Sequence, residues 1–94
     1  MKRFMLMHCG FVKPSPEDME AWGRWFESIA DRQVDQAGFA GGREISSSGT
    51  RDLPWGLDSI TGFNIVEAES LDDAEQLAKT CPFVTSIQIY ELRG

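Results

Sequence analysis

Ninety-four residues with a formal net charge of −6 supply one domain, and a chain this short buries only about 60–65% of the surface its unfolded form exposes. Apolar residues make up 41% and aromatics 11%, which excludes a disordered segment, while the acidic balance and the scattered Lys and Arg exclude nucleic acid and anionic membrane as partners. No window approaches the ~20 apolar residues of a membrane helix, and MKRFMLMHCG lacks the length and cleavage-site pattern of a secretory signal, so a cytoplasmic location is expected.

Arg3 to His8 is a short apolar run whose length favours a strand. Strand alternation puts Phe4, Leu6 and His8 on one face and Met5, Met7 and Cys9 on the other. A helix follows, opened by Ser15 as cap, Pro16 at the first helical position and Glu17 and Asp18 in the first turn. Its expected end is Gly38. Met19, Trp22, Phe26, Ile29 and Ala30 form its apolar stripe, with Ala37 in line; Trp22 is assigned to the core and Trp25, at the stripe's edge, to an interface or a cleft.

Arg43 to Ser48 alternates weakly and reads as a second strand, followed by the loop SSGTRDLPWGLD. Ile60 to Glu67 is a third strand, with Phe63 and Ile65 on one face and Asn64 and Val66 on the other. Ser70 and Asp73 resemble a capping box opening a second helix, on which Leu71, Ala74, Leu77, Ala78 and Cys81 share a face. Pro82 ends it. Ser86 to Leu92 closes the chain as a strand, Ile87 and Ile89 opposite Gln88, Tyr90 and Leu92.

The order β-α-β-β-α-β over residues 1–94 specifies an α+β, ferredoxin-like domain: a four-stranded antiparallel sheet with two helices on one face. Two helices cover only one face, yet the strands carry apolar residues on both. A second copy pressing its sheet on the open face resolves this, so a homodimer enclosing a cavity is expected.

The residue supply limits the chemistry. Cys9 and Cys81 belong to no C-x-x-C pair and read as reduced thiols. SSSG is no nucleophile elbow, Gly41-Gly42 is no phosphate loop, and one histidine gives no convincing metal set, so neither cofactor nor metal is expected. His8 is the natural general acid or base at neutral pH: it lines the cavity if its face points to the partner and is a core residue if it points to the helices. Asp52 and Asp58 are close enough in sequence to converge on one site, although Asp is also a preferred turn residue. Arg51 and Arg43 have the fork geometry to clamp a carboxylate. Trp55, in a polar turn-forming stretch, must pack on the core, meet a partner subunit or stack on a ligand.

The run PSPEDMEAWGRW, the pair Gly41-Gly42, the segment GFNIVEAESLDDAEQLAKTCPFV and the final SIQIYELR together resemble the YCII-related family, whose longer members carry an Asp-Gly-Pro-Phe signature. The resemblance spans nearly the whole chain. It implies a ferredoxin-like fold, dimerisation through the sheets into an α+β barrel, and a cleft for a small organic molecule, with some members linked to degradation of aromatic compounds. Asp52-Leu53-Pro54-Trp55 stands where that signature would fall, with leucine for the glycine. A His-Asp pair has been proposed as the active site of the short branch; here the first helix holds no histidine, and that branch's Asp-Pro-Phe reads Cys81-Pro82-Phe83. The leading expectation is a cleft protein with His8 as proton carrier, Asp52 as its partner or a substrate contact, and Trp55, Arg51, Asp58 and Trp25 as substrate contacts. The alternatives are a non-catalytic module binding a small molecule or a protein, and a cofactor-free monooxygenase or mutase-like enzyme.

Overall fold

The computed structural model, which describes residues 1–93, orders the chain as β1 (Lys2–Cys9), α1 (Pro16–Ile29), β2 (Gln33–Gly38), β3 (Gly42–Ser46), β4 (Gly49–Leu53), β5 (Ile60–Ala68), α2 (Leu71–Lys79) and β6 (Ser86–Glu91). Four strands make an antiparallel sheet in the order β2-β5-β1-β6, and β3 and β4 form a separate two-stranded hairpin. This is the expected ferredoxin-like α+β arrangement, with a hairpin inserted between the second and third strands of its sheet.

Alternation builds the core. Phe4 and Leu6 of β1 and Val66 and Ala68 of β5 are fully buried against Trp25 and Ile29 of α1 and Ala74 and Ala78 of α2, so both helices cover the same face. The small residues of α2 let that helix lie close to the sheet. On the other face the registers Met5↔Ile65 and Met7↔Phe63 set four apolar side chains side by side with no helix above them.

Both helices begin as their residues dictate. The Ser15 hydroxyl accepts from the Asp18 N–H at 3.1 Å while the Asp18 carboxylate accepts from the Ser15 N–H at 2.9 Å, a complete capping box. Ser70 accepts from the Asp73 N–H at 3.1 Å. The Asp73 carboxylate, however, accepts from the Glu69 N–H and from Arg32, each at 3.0 Å, so it ties the start of α2 to the α1–β2 turn. Those two contacts, the backbone amide first, hold its acidity below the usual carboxylate range.

Three expectations are corrected. The first helix stops at Ile29 instead of Gly38, and Gln33–Gly38, including Ala37, is the edge strand β2. QVDQAG carries little apolar signal because an edge strand with exposed side chains needs none; its backbone pairing with β5 decides its conformation. Second, Arg43–Ser46 belongs to the hairpin and not to the main sheet. Third, Gly49–Leu53 is strand β4, so the arginine and the aspartate of TRDLPWG lie on a strand and only Pro54 onward turns.

Trp25 is corrected too. It is 3% exposed, in the core, and its indole Nε1 donates to the Leu77 carbonyl at 3.0 Å, clamping α1 to α2. Met19 and Phe26, assigned to the buried stripe, are 65% and 37% exposed, because the buried stripe runs through Trp25 and Ile29, one turn apart. Among the described residues no helix is long and apolar enough to cross a membrane.

Candidate functional site

Pro54 to Ser59 forms a tight loop tied in part by its own hydrogen bonds. The Ser59 hydroxyl accepts from the Gly56 N–H at 2.8 Å and donates to the Pro54 carbonyl at 2.9 Å. The residues just after β1 and just before β6 hold it from outside: Gly10 N–H donates to Ser59 at 2.7 Å and Phe11 N–H to Gly56 at 2.8 Å, and the Thr85 hydroxyl donates to the Leu57 carbonyl. Gly10 sits at φ +108°, and a Cβ there would meet the Thr85 backbone nitrogen at 2.7 Å, so only glycine fits this crossing. The Trp55 ring packs on Phe11, centroids 5.7 Å apart, and stays 41% exposed.

Between this loop, the hairpin and the open face of the sheet lies a cleft of about 600 Å³. Met7, Phe39, Trp55 and Ile60 give it apolar walls, and Phe39 is itself braced by Phe63 at a centroid separation of 6.0 Å. Arg43, Glu44 and Arg51 reach it from the hairpin and Asp58 from the loop. The cross-strand registers Arg43↔Asp52 and Glu44↔Arg51 explain the charge pattern. Arg51 Nε donates to Glu44 at 2.7 Å and Arg43 Nε donates to Asp52 at 3.0 Å. Glu44, by hydrogen bond and then by charge, raises the Arg51 guanidinium further above its ordinary value, and Asp58 adds a smaller attraction.

Of the residues singled out in the sequence, Arg43, Arg51, Trp55 and Asp58 thus meet on one cleft. Asp52 does not line it; its carboxylate is spent on Arg43 at the hairpin surface. His8 does not line it either. It is 9% exposed, on the helix side of the sheet, with Nε2 at 2.6 Å from Asn64 Oδ1 and Nδ1 at 3.9 Å from the Cys81 thiol. The Asn64 amide then donates to Gln33 at 2.6 Å and Gln36 at 3.3 Å. For every partner to be matched, Nε2 carries the proton and Nδ1 accepts from the thiol. Trp22 and Trp25 stand edge-on to the imidazole at 5.2 and 5.7 Å.

Burial lowers the His8 pKa, the Asn64 hydrogen bond opposing it in part. Burial also pushes the Cys81 thiol up to about 12, so it is no thiolate nucleophile at neutral pH. A smaller hollow of about 220 Å³ opens beside His8 under Trp22 and Phe26. Among the described residues no three His, Cys, Asp or Glu side chains gather as a metal site would require. Among the cleft residues that the sequence did not flag are Met7, Phe39, Ile60 and Glu44. Their signal was weak: Met7 was one more apolar strand residue, and Glu44 acquires its place only through the hairpin pairing.

No family model matches this chain, and no curated protein matches it. Among solved structures the fold is similar to that of the 5-chloro-2-hydroxyhydroquinone dehydrochlorinase from Burkholderia phenoliruptrix AC1100 in its complex with 2,5-dihydroxybenzoquinone. The TM-score is 0.61 at 12% identity, covering 97% of this chain and 93% of that one. A likeness at this identity establishes the class, an α+β protein of ferredoxin-like fold, and leaves the chemistry to the site.

Proposed function

We propose that the chain is a YCII-related small-molecule-binding protein that holds an aromatic molecule in the cleft between the β3–β4 hairpin and the open face of the sheet, as a homodimer. The observation that carries this reading is the cleft itself, in which aromatic and thioether walls face a cluster of four charged side chains. Apolar walls with a few polar groups at one side are what a small organic ligand requires. The solved neighbour of the same fold acts on a chlorinated hydroxyhydroquinone and was captured with a dihydroxybenzoquinone, both small aromatic-derived rings.

The arrangement favours binding over the expected His8–Asp52 acid–base pair. His8 lies behind the sheet and Asp52 on the outer hairpin, so neither reaches a ligand in the cleft. Proton transfer there would fall to Asp58 or Glu44. A thermal-shift screen with small aromatic compounds tests the reading, since a ligand at 100 times its Kd stabilises the folded state by about 2.7 kcal/mol. Trp55→Ala removes a ring face and is expected to weaken the bound compound roughly tenfold. A screen without a single stabilising compound, or a Trp55→Ala protein that binds its ligand undiminished, would refute it.

A further inference from the structure

Resting on the cleft reading above, we propose that the cleft selects an uncharged ring carrying two or more hydroxyl groups, of the catechol or hydroquinone type, against aromatic carboxylates, and that Glu44 sets this selection. The charges facing the cleft balance: Arg43 and Arg51 against Glu44 and Asp58. Neither cation is unclaimed. Arg51 Nε is bound to Glu44 at 2.7 Å with Asp58 attracting it as well, and Arg43 Nε is bound to Asp52 at 3.0 Å. A carboxylate ligand accepting from the remaining guanidinium N–H groups would sit beside the carboxylates of Glu44 and Asp58 with no proton to offer them, and the net charge of −6 on the whole chain adds long-range repulsion.

A hydroxyl group meets the same surroundings without that conflict. It donates its proton to Glu44 or Asp58 and accepts through its oxygen from guanidinium N–H groups that the ion pairs leave over, since each arginine has five donors. Two such groups on one ring can engage both signs of charge at once, while the ring lies against Trp55, Phe39 and Met7. At neutral pH a phenol, with a pKa near that of tyrosine at about 10, stays uncharged, whereas an aromatic acid is ionised. Glu44 is the deciding residue because its removal frees Arg51 for an anion.

Titration of the full chain at pH 7 with catechol, hydroquinone and benzoate, followed by calorimetry, tests this. The diphenols are expected to bind and benzoate to bind at least about tenfold more weakly, a gap of 1.4 kcal/mol. Glu44→Gln, at an exposed position, should bind benzoate about threefold or more tightly than the parent through the freed Arg51, in a salt-sensitive manner, and lose affinity for the diphenols. Asp58→Asn should move the ratio the same way and serves if Glu44→Gln unfolds. Benzoate binding as tightly as the diphenols, or a ratio unmoved by both variants, overturns the selectivity while the cleft reading stands. If diphenols and benzoate alike leave the protein untouched and other aromatic compounds bind, the ligand class is wrong; if nothing aromatic binds, both proposals fall together.

Discussion

His8 shows how a single side chain acquires its character from its surroundings. Its imidazole is matched on both nitrogens, by Asn64 and by the Cys81 thiol, and walled by two indoles. Charging it would turn a matched Nδ1 into a donor facing the thiol, and burial, which disfavours the charged form, is the larger cause of its lowered pKa. The sign of the consequence follows. With the folded value below the ordinary 6.5, the unfolded chain binds the proton first as pH falls. This contribution to stability is therefore complete above about pH 6.5 and is lost as pH drops from there through the folded value. Denaturant melts between pH 8 and pH 5 should show this loss, and His8→Gln should flatten it while costing about 1–3 kcal/mol at pH 8 by disturbing the Asn64 network. An unchanged slope in the variant would assign the acid sensitivity elsewhere. Two of the three tryptophans make a complementary case. Trp25 lies in the core and Trp55 at the cleft, the first because its turn of α1 faces α2, the second because its loop is closed by its own hydrogen bonds.

At the scale of elements, the pairing of β2 with β5 depends on one missing methyl. A Cβ on Gly62 would stand 2.6 Å from the Ala37 carbonyl oxygen and 3.2 Å from the Gly38 Cα, both backbone atoms that cannot swing aside. Gly62→Ala should lower stability by about 1–3 kcal/mol, as overpacking does, and should preferentially expose the amides of β2 to hydrogen exchange; a variant as stable as the parent, with β2 still protected, would show that this edge tolerates more movement. Strong local signals were legible: the Ser15 and Ser70 caps, the alternation of β1 and β5, and the turn chemistry after Leu53. β2 and β4 were not, because each is an exposed strand whose side chains bury little. Their conformation is imposed by pairing, β2 against β5 and β4 against β3. The misplaced helix end has the same origin. Gln33 to Gly38 is as acceptable in a helix as in a strand, and only the vacant edge of β5 decides between them.

For the whole molecule, the helices shield one side of the sheet and leave Met5, Met7, Phe63 and Ile65 on the other. A sheet with apolar residues on both faces calls for a second cover. Light scattering at micromolar concentration should return twice the 10.5 kDa mass of the chain, and Ile65→Glu should return the single mass by placing a charge in the apolar face. A parent protein of single mass would sink the dimer. The candidate site is divided in the same way as the fold. That arginine, aspartate and tryptophan within TRDLPWGLD could share a cleft was legible in the chain, and so was the α+β class, because caps and apolar periodicity are local properties of the chain. The placement of His8 behind the sheet, the surrender of Asp52 to Arg43 and the recruitment of Met7, Phe39 and Glu44 to the cleft were decided only in three dimensions. Each depends on which strand pairs with which and which face the helices choose, and these are contacts between residues far apart in sequence that no local pattern encodes.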